Sequence, residues 1–218
     1  MFRMIKGNAR ERLKGKRLLV IGAIIINMAI VGVLSNNGWV GIFSFFITAP
    51  LSVGLSWLAL GVYDGEEVAI KEIFTPFGDY GKVLGTVFLV SFYTLLWSLL
   101  LIIPGIIKGY AYSQAIYIIK ENPDLGIRES IAASQELMRG SKANLFFFEL
   151  SFIGWILPMI LAPVFLVLSL TLQFPTAVSP WALFLGIFTV GYAIFFFIYV
   201  MPYYMTAMAG YFRELTKK

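Results

Sequence analysis

Apolar residues fall along this chain in long blocks rather than at the period of a half-buried helix or strand. No Asp, Glu, Lys or Arg occurs in 18–63, 83–107, 109–119 or 150–212. A helix crossing a bilayer needs about 20 mostly apolar residues. The first and last blocks are therefore long enough for hairpins, and the second for a single span. Turn-forming or polar segments separate the spans: Ser35-Asn36-Asn37-Gly38, the loop 64–82, Pro104-Gly105, the loop 120–142, and 174–180. The pattern predicts an all-α, polytopic helical membrane bundle of about six transmembrane helices in three hairpins. Their expected limits are 18–34, 39–63, 83–103, 105–119, 143–172 and 181–205, within a membrane domain 18–212. Pro50, Pro158 and Pro163 are predicted kink sites.

Charge placement orients this bundle. Of 17 Lys and Arg residues, seven lie in 1–17, two in 64–82, four in 120–142 and three in the tail 213–218. Only Lys108 lies elsewhere. Cytoplasmic loops accumulate Lys and Arg, which predicts that both termini are cytoplasmic. The basic start followed by an apolar run resembles a secretory signal. Its 17-residue apolar stretch is longer than most signal cores and no Ala-x-Ala-like site follows, so a retained first span is expected.

Two cytoplasmic segments read as amphipathic helices. In 1–17, Phe2, Ile5, Ala9 and Leu13 form an apolar stripe among cations, although Gly7 and Gly15 weaken the pattern. In 120–142, Asn122-Pro123-Asp124 supplies a start and Gly140 a stop, with Ile127, Ile131, Ser134 and Met138 on one face. Such a helix either docks a partner or covers the ends of the bundle. Arg3, Lys6, Arg10, Lys14 and Arg17 are candidate contacts for anionic lipid headgroups. The same charges also suffice simply to set topology, and beside a span they do not point to nucleic acid.

Composition narrows the chemistry. The 218 residues are 59% hydrophobic and 13% charged, against roughly 25% charged in soluble domains, which argues against a soluble or disordered chain. Cys and His are both absent, removing disulfides, thiol nucleophiles, Cys/His zinc sites and any His base. No cofactor or metal is implied. The carboxylates Asp64, Glu66, Glu67 and Glu72 read as a hydrated loop rather than a metal cluster.

Several motifs occur in a characteristic order: Ile103-Pro104-Gly105-Ile106-Ile107-Lys108-Gly109-Tyr110-Ala111-Tyr112-Ser113, Glu121-Asn122-Pro123-Asp124-Leu125, Met138-Arg139-Gly140-Ser141-Lys142 and Leu150-Ser151-Phe152-Ile153-Gly154-Trp155. Ala49-Pro50-Leu51-Ser52-Val53-Gly54-Leu55 and the end from Pro202-Tyr203 to Tyr211-Phe212 fit the same set. Together they resemble the bacterial integral membrane family catalogued as domain of unknown function 975. That family is in turn distantly similar to the membrane region of some glycerophosphodiester phosphodiesterases. The resemblance implies a six-helix protein of the bacterial cell membrane, but no activity, substrate or catalytic residue. Gln114 departs from it by standing where an apolar residue, often Met, is expected.

Ionisable groups at membrane depth are costly and mark candidate function. Lys108 and Glu149 qualify. At about 1.5 Å per residue their depths differ by roughly 8 Å, so an intramembrane pair lining a polar cavity is one expectation. The alternatives are a Lys108 that snorkels to headgroups and a Glu149 bonded to a neighbouring Ser or Tyr. Gly105, Gly109 and Ser113 recur every four residues and are candidates for close helix packing, within the chain or in a dimer. Trp39 and Trp181 are expected interface anchors. The favoured functional expectation is a non-enzymatic module that binds membrane lipid or another membrane protein. A small transporter or channel using Lys108 and Glu149 is the alternative, and a lipid-processing enzyme is the third.

Overall fold

A computed structural model describes residues 1–35, 38–171 and 180–217. The expected turns at 36–37 and 174–179 lie outside the described residues, as does the side chain of Trp39. Among the described residues there is no strand. The helices are α1 (Phe2–Arg12), α2 (Arg17–Ser35), α3 (Gly38–Asp64), α4 (Tyr80–Leu100), α5 (Ile102–Tyr112), α6 (Ala115–Glu121), α7 (Ile127–Leu137), α8 (Lys142–Leu150), α9 (Ile153–Thr171), α10 (Pro180–Phe195) and α11 (Met201–Thr216). A 3-10 segment, Ile70–Phe77, precedes α4, and a π-helical segment, Phe196–Val200, joins α10 to α11.

The chain runs away from its charged end and back three times. Contacts of α2 with α3, α4 with α5, and α9 with α10 define three hairpins. Four helices are long and apolar enough to cross a membrane, and a fifth span arises if α8 and α9 are counted as one bent span. The remaining limb, 102–121, consists of helices of 11 and 7 residues separated at Ser113-Gln114. Neither is long enough alone.

α3 is the central post. Its spanning window is 67% buried, against 17% in α2 and 11% in α4. Leu51, Leu55, Leu58 and Val62 face Val20, Ala23 and Ile24 of α2. Ala59, Leu60 and Tyr63 face α1, α8 and α11, while Val53 and Trp57 meet Val83 and Ile119. Such burial all round suits a helix whose apolar residues follow no narrow stripe. Gly54 permits the tightest approach, since a Cβ there would lie 2.0 Å from the Ile73 carbonyl oxygen. Glu72 anchors the same 3-10 segment by accepting the Ala69 N–H at 2.7 Å.

The amphipathic segments fold onto the bundle. Ile5, Ala9 and Leu13 of the N-terminal segment are fully buried, the first two against α11 and the third against the α2–α3 layer. Gly15, at φ +81, turns the chain into α2 in a conformation that glycine adopts without steric cost. In α7, Ser130, Ile131 and Ser134 are buried against α4, α5 and α6, while Met138, just past its end, is buried in the cluster that α1, α3, α8 and α11 share. Gly140 has φ +73, as a helix terminator requires.

A sharp bend falls away from the prolines. α3 continues through Pro50, and α9 through Pro158 and Pro163. The sharp bend is 57° and lies between α8 and α9, at Ser151-Phe152. There the Ser151 hydroxyl donates to the Phe148 carbonyl, which competes with the helical ladder. Pro202 leaves its mark one turn earlier. It cannot donate to the carbonyl four residues back, and the Met201 N–H bonds instead to Phe196 in the wider π pattern.

Gly54→Leu should destabilise the protein by ~2 kcal/mol or more through overpacking. Gly7→Ala, in open space on α1, should stabilise by about 0.5–1 kcal/mol. Thermal unfolding in one detergent checks both signs.

Candidate functional site

At the charged end, Arg213 of α11 fastens three helix termini. Its Nε donates to Asp64 Oδ1 at 2.8 Å and its Nη2 to Asp64 Oδ2 at 2.6 Å. Nη1 and Nη2 donate to Glu121 at 2.9 Å each. The planar guanidinium makes this double fork possible where an ammonium could not. Trp57 Nε1 donates to the Ile116 carbonyl at 2.7 Å, and Lys120 Nζ to the Trp57 carbonyl at 3.0 Å. These bonds staple α3 to α6. The ends of α3, α6 and α11 therefore lie at one level, with α1 beside them.

A row of cations sits over aromatic rings at the same end. Lys6 Nζ lies 4.0 Å from the Phe152 ring centroid, Arg10 is 5.2 Å from Tyr203, and Arg17 is 5.1 Å from Tyr199. Each distance is within cation–π range. Burial, and then the Arg10 charge one turn away, hold the Lys6 ammonium below its ordinary pKa. Its Nζ donates to the Ser151 carbonyl at 3.3 Å. Beside this row opens a cleft of about 350 Å³ lined by Arg10, Lys14, Arg17, Trp155, Tyr199 and Tyr203, among others. Among the described residues, none of its three cations is paired with a carboxylate. Arg3 is exposed and outside the cleft lining.

Sequence reasoning identified the cations but missed the rings, because Arg10 and Tyr203 are far apart in the chain. The signal was present in the aromatic run Tyr192, Phe195, Tyr199 and Tyr203, spaced at three or four residues along one helical face.

The expected Lys108–Glu149 pair does not form. Lys108 Nζ lies 4.8 Å from the Trp97 ring and 5.9 Å from Tyr112. Glu149 accepts the Tyr110 hydroxyl at 2.7 Å and the Tyr204 hydroxyl at 3.4 Å. The reason is angular. Residues 108 and 110 project about 200° apart on a helix, and Tyr110 is the one turned toward α8. Depth alone could not show this.

Gly105 and Gly109 face α4 within the chain. A Cβ at Gly105 would meet Ser98, and one at Gly109 would approach Thr94 at 3.5 Å. Ser113 lies in the α5–α6 break, where its hydroxyl donates to the Tyr110 carbonyl at 2.9 Å. Gln114 next to it is buried and donates its side-chain amide to Ser113 Oγ at 2.8 Å. Its backbone N–H donates to Ser134 Oγ at 3.2 Å, and Ser134 donates onward to the Ala111 carbonyl at 2.8 Å. This network docks α7 against the break. The loop carboxylates are separated in use, since Asp64 binds Arg213 and Glu72 caps the 3-10 segment. Trp181 is exposed at the start of α10.

The architecture is thus an all-helical bundle with several helices apolar enough to span a membrane and its charged groups concentrated at one end. A family model described as a protein of unknown function (DUF975) matches residues 98–218, more than half of the chain, and the chain belongs to that family. No curated protein and no solved structure matches it.

With Lys108 and Glu149 on different partners, the stability effects of Lys108→Ala and Glu149→Gln should add to within about 0.5 kcal/mol. Unfolding of the single and double variants in detergent measures this. A coupling above about 1 kcal/mol would show a direct interaction.

Proposed function

We propose that this chain is a non-enzymatic module of a bacterial cell membrane, both termini cytoplasmic, that holds anionic lipid at its charged face. The carrying observation is the cleft in which Arg10, Lys14 and Arg17 converge without carboxylate partners. Arg17 opens α2, so the cleft lies where polar backbone gives way to apolar span. Phospholipid phosphates occupy that level. The Trp155, Tyr199 and Tyr203 rings suit the same interface, being apolar bodies with polar tips. The concentration of Lys and Arg at this end supports a cytoplasmic placement. The transporter alternative is the less supported reading, because Lys108 and Glu149 have separate partners rather than pairing.

Each cation near an anionic surface contributes about 1 kcal/mol. The triple variant Arg10→Gln/Lys14→Gln/Arg17→Gln should therefore lose the preference for phosphatidylglycerol over phosphatidylcholine by roughly 100-fold. Native mass spectrometry of protein released from mixed nanodiscs reads this directly, with Arg3→Gln as the control expected to retain the lipid. Equal retention by the triple variant would defeat the proposal.

A further inference from the structure

The cationic cleft has an apolar neighbour. A groove of about 410 Å³ runs between α2 and α10, with Ile21, Ile25 and Met28 on one wall and Ala193, Ile194 and Phe197 on the other. Thr189 is the one hydroxyl-bearing residue in its lining, and that hydroxyl is spent on the Leu185 carbonyl at 2.7 Å. The groove thus offers no free hydroxyl among the described residues. It exists because α2 packs on the π segment while α10 packs on α9, which leaves a gap where α10 departs from α2.

The two cavities share a wall. Tyr199 and Val200 line the cleft, while Phe197 and Ile198, in the same π segment, line the groove. On the opposite wall Arg17 belongs to the cleft, and Ile21, one turn on, to the groove. From Ile21 to Met28 the groove follows α2 for roughly 10 Å. Cations at one end and an apolar slot leading away from them complement an amphiphile with an anionic head.

We propose that the cleft and groove are one lipid site: a phosphate bound by Arg10, Lys14 and Arg17, with one acyl chain of the same molecule lying between α2 and α10. This rests on the lipid-binding reading above and adds a defined seat for the chain. A cavity lined by Ile, Met and Phe excludes water, and at bilayer depth an acyl chain is the occupant that also delivers a charge to the cleft.

The test uses the full chain in nanodiscs containing phosphatidylglycerol with a photoactivatable diazirine in one acyl chain. Peptides covering 18–28 and 189–198 should be labelled at least tenfold more than the α4–α5 turn at 95–107, and the triple cleft variant should lose that excess. Ala193→Trp, which fills the groove, should reduce phosphatidylglycerol retention at least tenfold, whereas Leu183→Trp on an outward face of α10 should not. If the triple variant loses lipid but labelling is even and Ala193→Trp binds like the parent, the seat for the chain is overturned and lipid binding at the cleft stands. If the triple variant keeps its lipid, the reading beneath falls too. Should Ala193→Trp fail to fold, the labelling pattern in the parent decides, with even labelling overturning the proposal.

Discussion

One guanidinium gripping two carboxylates sets the level at which this bundle ends. Asp64, Glu121 and Arg213 each lie at the border of an apolar stretch, and each would be costly to bury alone. Joined in a double fork, they satisfy one another while remaining partly accessible, with side chains 20–33% exposed. Three helices that are distant in sequence are thereby brought to a common plane. Everything else at that end is built against it: α1 packs on α11, Trp57 and Lys120 tie α3 to α6, and α7 closes over the α5–α6 break.

From that plane the two sides of the molecule diverge. Toward the charged end, side chains meet in a dense layer, with Phe148, Phe152, Tyr211 and Phe212 fully buried. Away from it the hairpins separate, and Leu99 to Ile103 are 67–74% exposed at the α4–α5 turn. Such exposure would be untenable in water but suits contact with hydrocarbon, where no apolar driving force pulls helices together. Helices tied at one end and free at the other leave gaps between them. The slot between α2 and α10 is one such gap.

Much of this was legible in the sequence because the length of an apolar, charge-free block is a coarse and strong signal. Charge-free blocks marked the long apolar helices, and the buried face of α7 appeared as Ile131 and Ser134 at helical spacing. What escaped depended on rotation about helix axes. Lys108 and Glu149 lay within reach in depth but not in direction, so Tyr110 took the place at Glu149 that Lys108 was expected to fill. The 57° bend at Ser151-Phe152 was equally unmarked, because it falls at no proline. The ladder of cations over rings joins the first 17 residues to 152–203, and no local pattern links segments that far apart. The Arg213 fork could have been anticipated from its three members each ending a span at the charged side.

The sidedness of the bundle is open to direct measurement because the native chain contains no Cys, so every introduced thiol is a unique reporter. Asn8→Cys, Asn122→Cys and Lys217→Cys report on the charged end, and Leu101→Cys on the α4–α5 turn. With a membrane-impermeant maleimide and sealed inside-out vesicles, the first three should react without permeabilisation and Leu101→Cys only after it. Reaction of Leu101→Cys from the same side as Asn122→Cys, or of the N- and C-terminal reporters from opposite sides, would contradict the account.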